Sequence, residues 1–220
     1  MKKIQLRFSL MLLLAIPGCA DLVTDGNKHF SNGDYDGAIA DFTKAIELKP
    51  DYAVAYYDRG IVKGKKGDYD GAIADYTKAI ELKPDFARAY GNRSGMKSME
   101  GDYDGAIADC TKAIELKPDD PRSCFIAYYE RGWAEYFKKD FESAIRDATR
   151  AIELYSKSGP AYGSRGWARY GKGDVAGALE DCKKAVELIG VNWEAAAYYH
   201  QGLIDFINGN YGKAVESWQK

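Results

Sequence analysis

The stretch GDYDGAIADFTKAIELKPD at residues 33–51 returns at 67–85 and at 101–119, altered only where Phe42 becomes Tyr76 and then Cys110. A fixed period of 34 residues constrains the fold strongly, because a unit this short cannot bury an apolar face alone and has to stack on its neighbours. Within a copy, Ala38, Ile39, Phe42, Ala45 and Ile46 recur at helical spacing, which predicts an amphipathic helix, called B here. Asp34 and Asp36 stand at its start, where carboxylates cap free amides and suit the helix dipole, and Lys49-Pro50 marks its end. Gly33 is placed to take the positive φ that ends the preceding helix. The intervening segments AVAYYDRGIVKGKKG and ARAYGNRSGMKSMEG predict a second helix, A, again ending in Gly. The expected fold class is all-α, a solenoid of stacked antiparallel helix hairpins.

Gly60 and Ala72 are the small residues that let A and B approach, with Tyr56 and Tyr69 flanking the contact. The order aromatic, Gly, Ala, aromatic, Ala, Pro, read in the second unit as Tyr56, Gly60, Ala72, Tyr76, Ala79 and Pro84, closely resembles the tetratricopeptide repeat. The resemblance implies a right-handed superhelix over residues 19–220 with units at 19–52, 53–86, 87–120, 125–158, 159–192 and a truncated 195–220. The corresponding structural positions elsewhere are Gly132, Ala144, Gly166, Ala178, Gly202 and Ala214. Ser94 replaces the helix A Gly in the third unit. Pro121 to Cys124 are inserted before the fourth and Trp193-Glu194 before the sixth, while Ser156 and Gly190 stand where two units would end in Pro. The last unit stops inside helix B, leaving Ala214, Val215 and Trp218 as a candidate self-association surface, with a frayed tail as the competing reading.

Arg59, Arg93, Arg131 and Arg165 precede the helix A Gly or Ser, and Asp41, Asp75, Asp109, Asp147 and Asp181 share one helix B place. Such regular recurrence predicts a structural ladder of ion pairs. Gln201 and Ser217 lose both charges together in the last unit, which favours pairing within a hairpin, although Asp25 in the first unit does not fit.

The chain opens with Lys2, Lys3 and Arg7, an apolar run from Phe8 to Ile16, then Pro17-Gly18 before Cys19. The run is too short to span a bilayer and matches a secretory signal segment over residues 1–18. Ile16-Pro17-Gly18-Cys19 resembles the lipobox of bacterial lipoproteins, although Pro17 is unusual there. That resemblance implies lipidation at Cys19, membrane attachment through the lipid, and, with Ala20 rather than Asp next, the outer membrane, periplasmic face. Secretion or periplasmic release without lipid is the alternative.

Removing residues 1–18 leaves 28 basic against 33 acidic side chains and no long basic block, so nucleic acid is not an expected partner. Cys110, Cys124 and Cys182 form neither a disulfide framework nor a zinc motif; Cys110 and Cys182 fall at the apolar position of Phe42 and Tyr76 and are read as buried, inert thiols. An oxidising periplasm would still allow one disulfide among the three. The two histidines, His29 and His200, lie far apart, and no metal, nucleophile or phosphate-loop motif is present, so neither enzyme activity nor a cofactor is expected.

Helix B specifies stacking; helix A carries the differences. In tetratricopeptide arrays helix A lines the inner groove, and carrying this over by position assigns a partner-binding groove to Tyr57, Ile61, Arg88, Asn92, Met99, Tyr129, Trp133, Tyr136, Phe137, Trp167, Tyr170, Tyr199, Leu203 and Phe206. Packing of Trp133 and Trp167 between hairpins is the competing reading. The resemblance implies a scaffold binding other envelope proteins or peptides, such as cell-wall enzymes or secretion, pilus or outer-membrane assembly parts. The alternatives are a peptidoglycan- or exopolysaccharide-binding module, or a mainly structural repeat protein. The charged set that docks chaperone C-termini in this family is missing.

Overall fold

The computed structural model describes residues 18–117, 119–189 and 194–219. The segment read as a signal peptide lies outside them but for Gly18, as do Gly190 and Trp193 and the side chain of Trp218.

Twelve helices occupy the described residues, and consecutive ones pack as hairpins. The A helices are α1 (Cys19–Ser31), α3 (Ala53–Lys65), α5 (Ala87–Met99), α7 (Pro121–Phe137), α9 (Gly159–Lys172) and α11 (Glu194–Ile207). Their B partners are α2 (Tyr35–Leu48), α4 (Tyr69–Leu82), α6 (Tyr103–Leu116), α8 (Phe141–Leu154), α10 (Val175–Ile189) and α12 (Tyr211–Trp218). Each B helix also packs on the next A helix, while α1, α3, α5, α7 and α9 touch in succession along one side. The arrangement is the expected solenoid of helix hairpins.

The repeated text makes the same local structure each time. Asp34 accepts a hydrogen bond from the Gly37 amide at 2.9 Å, and Asp68, Asp102, Asp140 and Asp174 cap their helices alike. The A-to-B turn carries Gly33, Gly67, Gly101, Gly173 and Gly209 at φ between +76° and +94°, whereas the fourth unit holds Lys139 there at +63°. The residues inserted before the fourth unit form no loop. Capped by Asp120 and opened by Pro121, they lengthen α7 to 17 residues, against 13 in α5.

The changing letter in the repeat follows the residue it faces. A Cβ on Gly26 would stand 2.7 Å from the Phe42 ring and one on Gly60 2.8 Å from Tyr76, so each aromatic ring fills the space of an absent side chain. Ser94 occupies that space in the third unit, and the residue opposite shrinks to Cys110, whose thiol donates to the Ser94 hydroxyl at 3.0 Å. Gly132 faces the backbone of Ala148, and Gly166 faces Cys182. Cys110 and Cys182 are buried thiols that burial pushes up to about 12, and the buried Cys124 thiol donates to the Lys117 carbonyl oxygen at 3.1 Å.

A guanidinium fastens each central hairpin. Arg59 Nε and Nη2 donate to Asp75 at 2.8 and 2.7 Å, and Nη1 reaches Thr43 of the preceding hairpin at 3.1 Å. Arg93, Arg131 and Arg165 repeat this with Asp109 and Thr77, Asp147 and Thr111, and Asp181 and Thr149. Each also lies over a tyrosine of its own helix, 5.5 to 5.7 Å from the ring centroid. The pairing is thus within hairpins, with a second link between them. In the first unit His29 Nδ1 stands 3.0 Å from Asp41, replacing the missing arginine from the next turn of the helix.

Cys110→Tyr alone is expected to overpack the Ser94 site and cost about 1–3 kcal/mol. Ser94→Gly together with Cys110→Tyr should recover most of that loss. Denaturant unfolding of both single variants and the double variant checks this, and additive effects would refute the coupling.

Candidate functional site

The side chains assigned to the groove divide into two groups. Tyr57, Ile61, Arg88, Asn92 and Met99 meet in a recess of about 460 Å³ between α3, α5 and α7. Gly64, Gly91 and Gly95 lie in its wall and let Met96, Ile126 and Glu130 approach the backbone, where a Cβ would stand 2.9, 3.4 and 3.4 Å from them. Asn92 Nδ2 donates to the Tyr57 hydroxyl at 3.1 Å, and Arg88 lies 6.0 Å from the centroid of the Tyr57 ring. Lys65, Tyr69, Tyr76 and Met96 also line it, as do Arg122, Ile126 and Glu130. None of the last three was assigned from sequence.

The later aromatic residues chiefly engage one another. Trp133 packs edge-on against Tyr129 and Tyr136 and stacks on Phe137, which stacks in turn on Tyr103 at 5.2 Å. Trp167 stacks on Tyr199 at 4.7 Å and sits against Cys182, Leu203 and Ile204, its indole N–H buried without a partner. Tyr170 meets Phe206 edge-on at 6.2 Å. Leu203 is a core residue and not a groove residue, 1% exposed, because it faces Cys182 across the hairpin contact. Phe137, at 51% exposure, remains the largest accessible ring of this run.

One position of helix A varies in polarity along the array: Asp58, Asn92, Glu130, Ser164 and His200 are equivalent along the repeat, the last two buried. Burial raises the Asp58 carboxyl to about 6, against a hydrogen bond from Asn27 in the unit before. Glu130 meets Gly95 instead, where a Cβ would lie 3.4 Å from its Oε2. With no side chain there to bond it, burial pushes Glu130 up to about 7. His200 packs on Gly163, and burial lowers it to about 4.

A second acidic exception lies one turn further along α7. Lys63, Lys97 and Arg169 place a second cation on the ladder aspartates, at 2.9 to 3.0 Å. The fourth unit has Glu135 at that place. It is buried, 4.0 Å from Arg131 Nε, with Oε2 unbonded; burial and the neighbouring Asp147 charge push it up to about 7. At the other end of the array, the Cys19 thiol, part-buried, points at the Ala45 carbonyl oxygen at 3.4 Å. Among the described residues no group of three His, Cys, Asp or Glu side chains is placed to hold a metal ion.

An array of hairpins with uniform B helices and a concave side of variable A residues defines a helical-repeat scaffold. The chain belongs to the tetratricopeptide-repeat family: family profiles described as TPR repeat or tetratricopeptide repeat match residues 26–67, 53–86, 87–120 and 126–190. No curated protein sequence matches it. Among solved structures it is similar to a MamA protein, at 26% identity over 77% of this chain and 91% of that one, TM-score 0.65. It shares its fold with PilW, a type IV pilus biogenesis factor, at 20% identity over 90% of each chain, TM-score 0.79. Pseudomonas aeruginosa PilF has the same fold, at 16% identity over 90% and 88%, TM-score 0.73.

Glu135 makes the stability of the array pH-dependent. Its folded pKa of about 7 exceeds the ordinary 4.5, so the folded state holds more protons between those values and stability falls as pH rises through them. Glu135→Gln should flatten that slope, leaving stability at pH 4 nearly unchanged and raising it at pH 8 by about 1–3 kcal/mol. Urea unfolding at the two pH values measures the difference.

Proposed function

We propose that the chain is a lipid-anchored scaffold of the bacterial cell envelope, facing the periplasm and holding another envelope protein on its concave side. The observation that carries this reading is the recess between α3, α5 and α7, with Arg88 and Arg122 exposed beside it and Met99 63% exposed. A cavity lined by apolar and convergent polar groups is what a binding site requires. No helix of the described residues is long and apolar enough to cross a membrane; attachment in this proposal rests on acyl chains at Cys19, several of which anchor stably. The shared fold with PilW makes pilus-assembly parts a first class of client to examine, by analogy of fold alone. Catalysis has no part in the proposal.

One observation favours a second reading, glycan binding. The Tyr103, Phe137 and Trp133 rings form a stacked run with Phe137 half-exposed, a surface on which a sugar ring could stack. Co-sedimentation with purified cell wall, lost in Phe137→Ala, would favour it over the protein client.

Crosslinked capture from detergent-solubilised envelopes should yield a partner that Arg88→Glu with Arg122→Glu loses by at least about tenfold, since reversing interface charge is costly. These exposed side chains can be reversed without opening the core, and circular dichroism verifies folding; identical captures would refute the groove. Cys19→Ser should move the protein from the membrane fraction to the soluble fraction, and unchanged fractionation would refute the anchor.

A further inference from the structure

The recess has an acidic floor and a basic mouth. Glu130 enters it from α7 against the bare backbone of Gly95, and among the described residues no hydrogen bond or ion pair engages its carboxyl. The walls are apolar and polarizable: the Tyr57 ring, Met96 and Ile126. Arg88 already lies over Tyr57, which shows that this ring takes a cation on its face. At the mouth stand the exposed cations Lys65, Arg88 and Arg122.

An unpaired carboxylate in such a place costs desolvation energy that a cation of matching reach would offset. A free cation, however, has to pass three positive side chains. A ligand meets both conditions when its own cation sits between acidic groups that the mouth attracts.

We infer that the recess is a specificity pocket for a basic side chain, a lysine or arginine of a partner segment, with Glu130 as counterion and with flanking acidic residues of that segment held by Arg88 and Arg122. The inference rests on the reading of the concave side as the partner groove. The stem of the inserted side chain lies along Met96 and Ile126, where apolar contact favours it. The equivalent Asp58 does not make a second pocket of this kind, because Asn27 already bonds its carboxyl.

The charges facing Glu130 decide how binding responds to pH. Asp109 and Asp147, on the B helices beside it, are held by Arg93 and Arg131. The Cys110 thiol on α6 and the Tyr129 hydroxyl on α7 are both pushed up to about 12 and are neutral at physiological pH. Glu130 therefore changes charge between pH 5.5 and 8, while Lys65, Arg88 and Arg122, the cations that line the same recess, keep theirs.

The test uses the chain from residue 19 onward and three blocked tripeptides, Asp-Lys-Asp, Asp-norleucine-Asp and Ala-Lys-Ala, followed through the Gly91 and Gly95 amide resonances. At pH 8, Asp-Lys-Asp should bind about tenfold more tightly than either relative, the scale of one charge-assisted contact. Glu130→Gln should abolish the preference for lysine over norleucine while leaving the norleucine peptide unaffected. Lowering the pH to 5.5 should weaken Asp-Lys-Asp in the native protein and not in the variant. Equal affinity for lysine and norleucine, a preference that survives Glu130→Gln, or tighter binding at pH 5.5 would each overturn the assignment. If the lysine preference fails while Arg88→Glu with Arg122→Glu still loses a captured partner, the pocket assignment falls and the groove stands. If the preference holds but capture is unchanged, a partner segment as the occupant is overturned.

Discussion

The stack depends on a guanidinium that belongs to two hairpins at once. Arg59 binds Asp75 through two nitrogens and Thr43 of the preceding unit through the third, and it lies over Tyr56. The planar fork offers several donors in fixed directions, so one side chain sets the angle between A and B and their register on the unit before. Removing it would leave the nearly buried Asp75 with Lys63 as its one remaining cation and break the link to Thr43. Lysine, with a single point charge, could not hold all three. Recurrence of the same residue in four successive A helices is therefore a geometric requirement of the stack.

The exceptions gather in the third and fourth units. Ser94 and Cys110 exchange volume; Glu135 stands where a cation belongs; α7 gains a turn. Glu100 adds to the group, its carboxyl raised chiefly by desolvation and then by Asp70, where other units make Lys66–Asp36 and Lys138–Asp104 pairs. The recess opens in the same place: the extra turn of α7 sets Arg122 beside the start of α5, and Ile126 and Glu130 pack on Gly91 and Gly95. Regular units build the scaffold, and the irregular ones build the site.

The hairpins, caps, ladder and small-residue contacts were legible in the sequence because each follows from a local rule repeated every 34 residues. Part of the recess was legible for the same reason: Tyr57, Ile61, Arg88 and Asn92, which the register places on one side of successive A helices, line it together. Arg122 escaped because it lies in an insertion, where the repeat frame has no position to compare. Glu130 escaped because its importance comes from the side chain missing at Gly95, a relation across 35 residues that no single helix displays. Leu203 went the other way, since a groove register cannot tell whether the next hairpin covers the residue.

The two kinds of helix answer to different constraints. A B helix meets its own A helix and the next one and turns its remaining face, Asp36, Ala40 and Lys44 in α2, to solvent, so the same surroundings recur in each hairpin and three copies can remain almost identical. An A helix meets its B partner and the previous B helix, but toward the concave side it meets only its neighbouring A helices. Along that line the repeat runs Asp58, Asn92, Glu130, Ser164, His200, opposite Asn27, Tyr57, Gly95 and, for His200, Gly163. Each pair differs in charge and size, yet none touches the guanidinium ladder. A substitution in this row can change the polarity along the A helices while the stack keeps its geometry, and this separation allows near-identical units to line recesses that differ from one hairpin to the next.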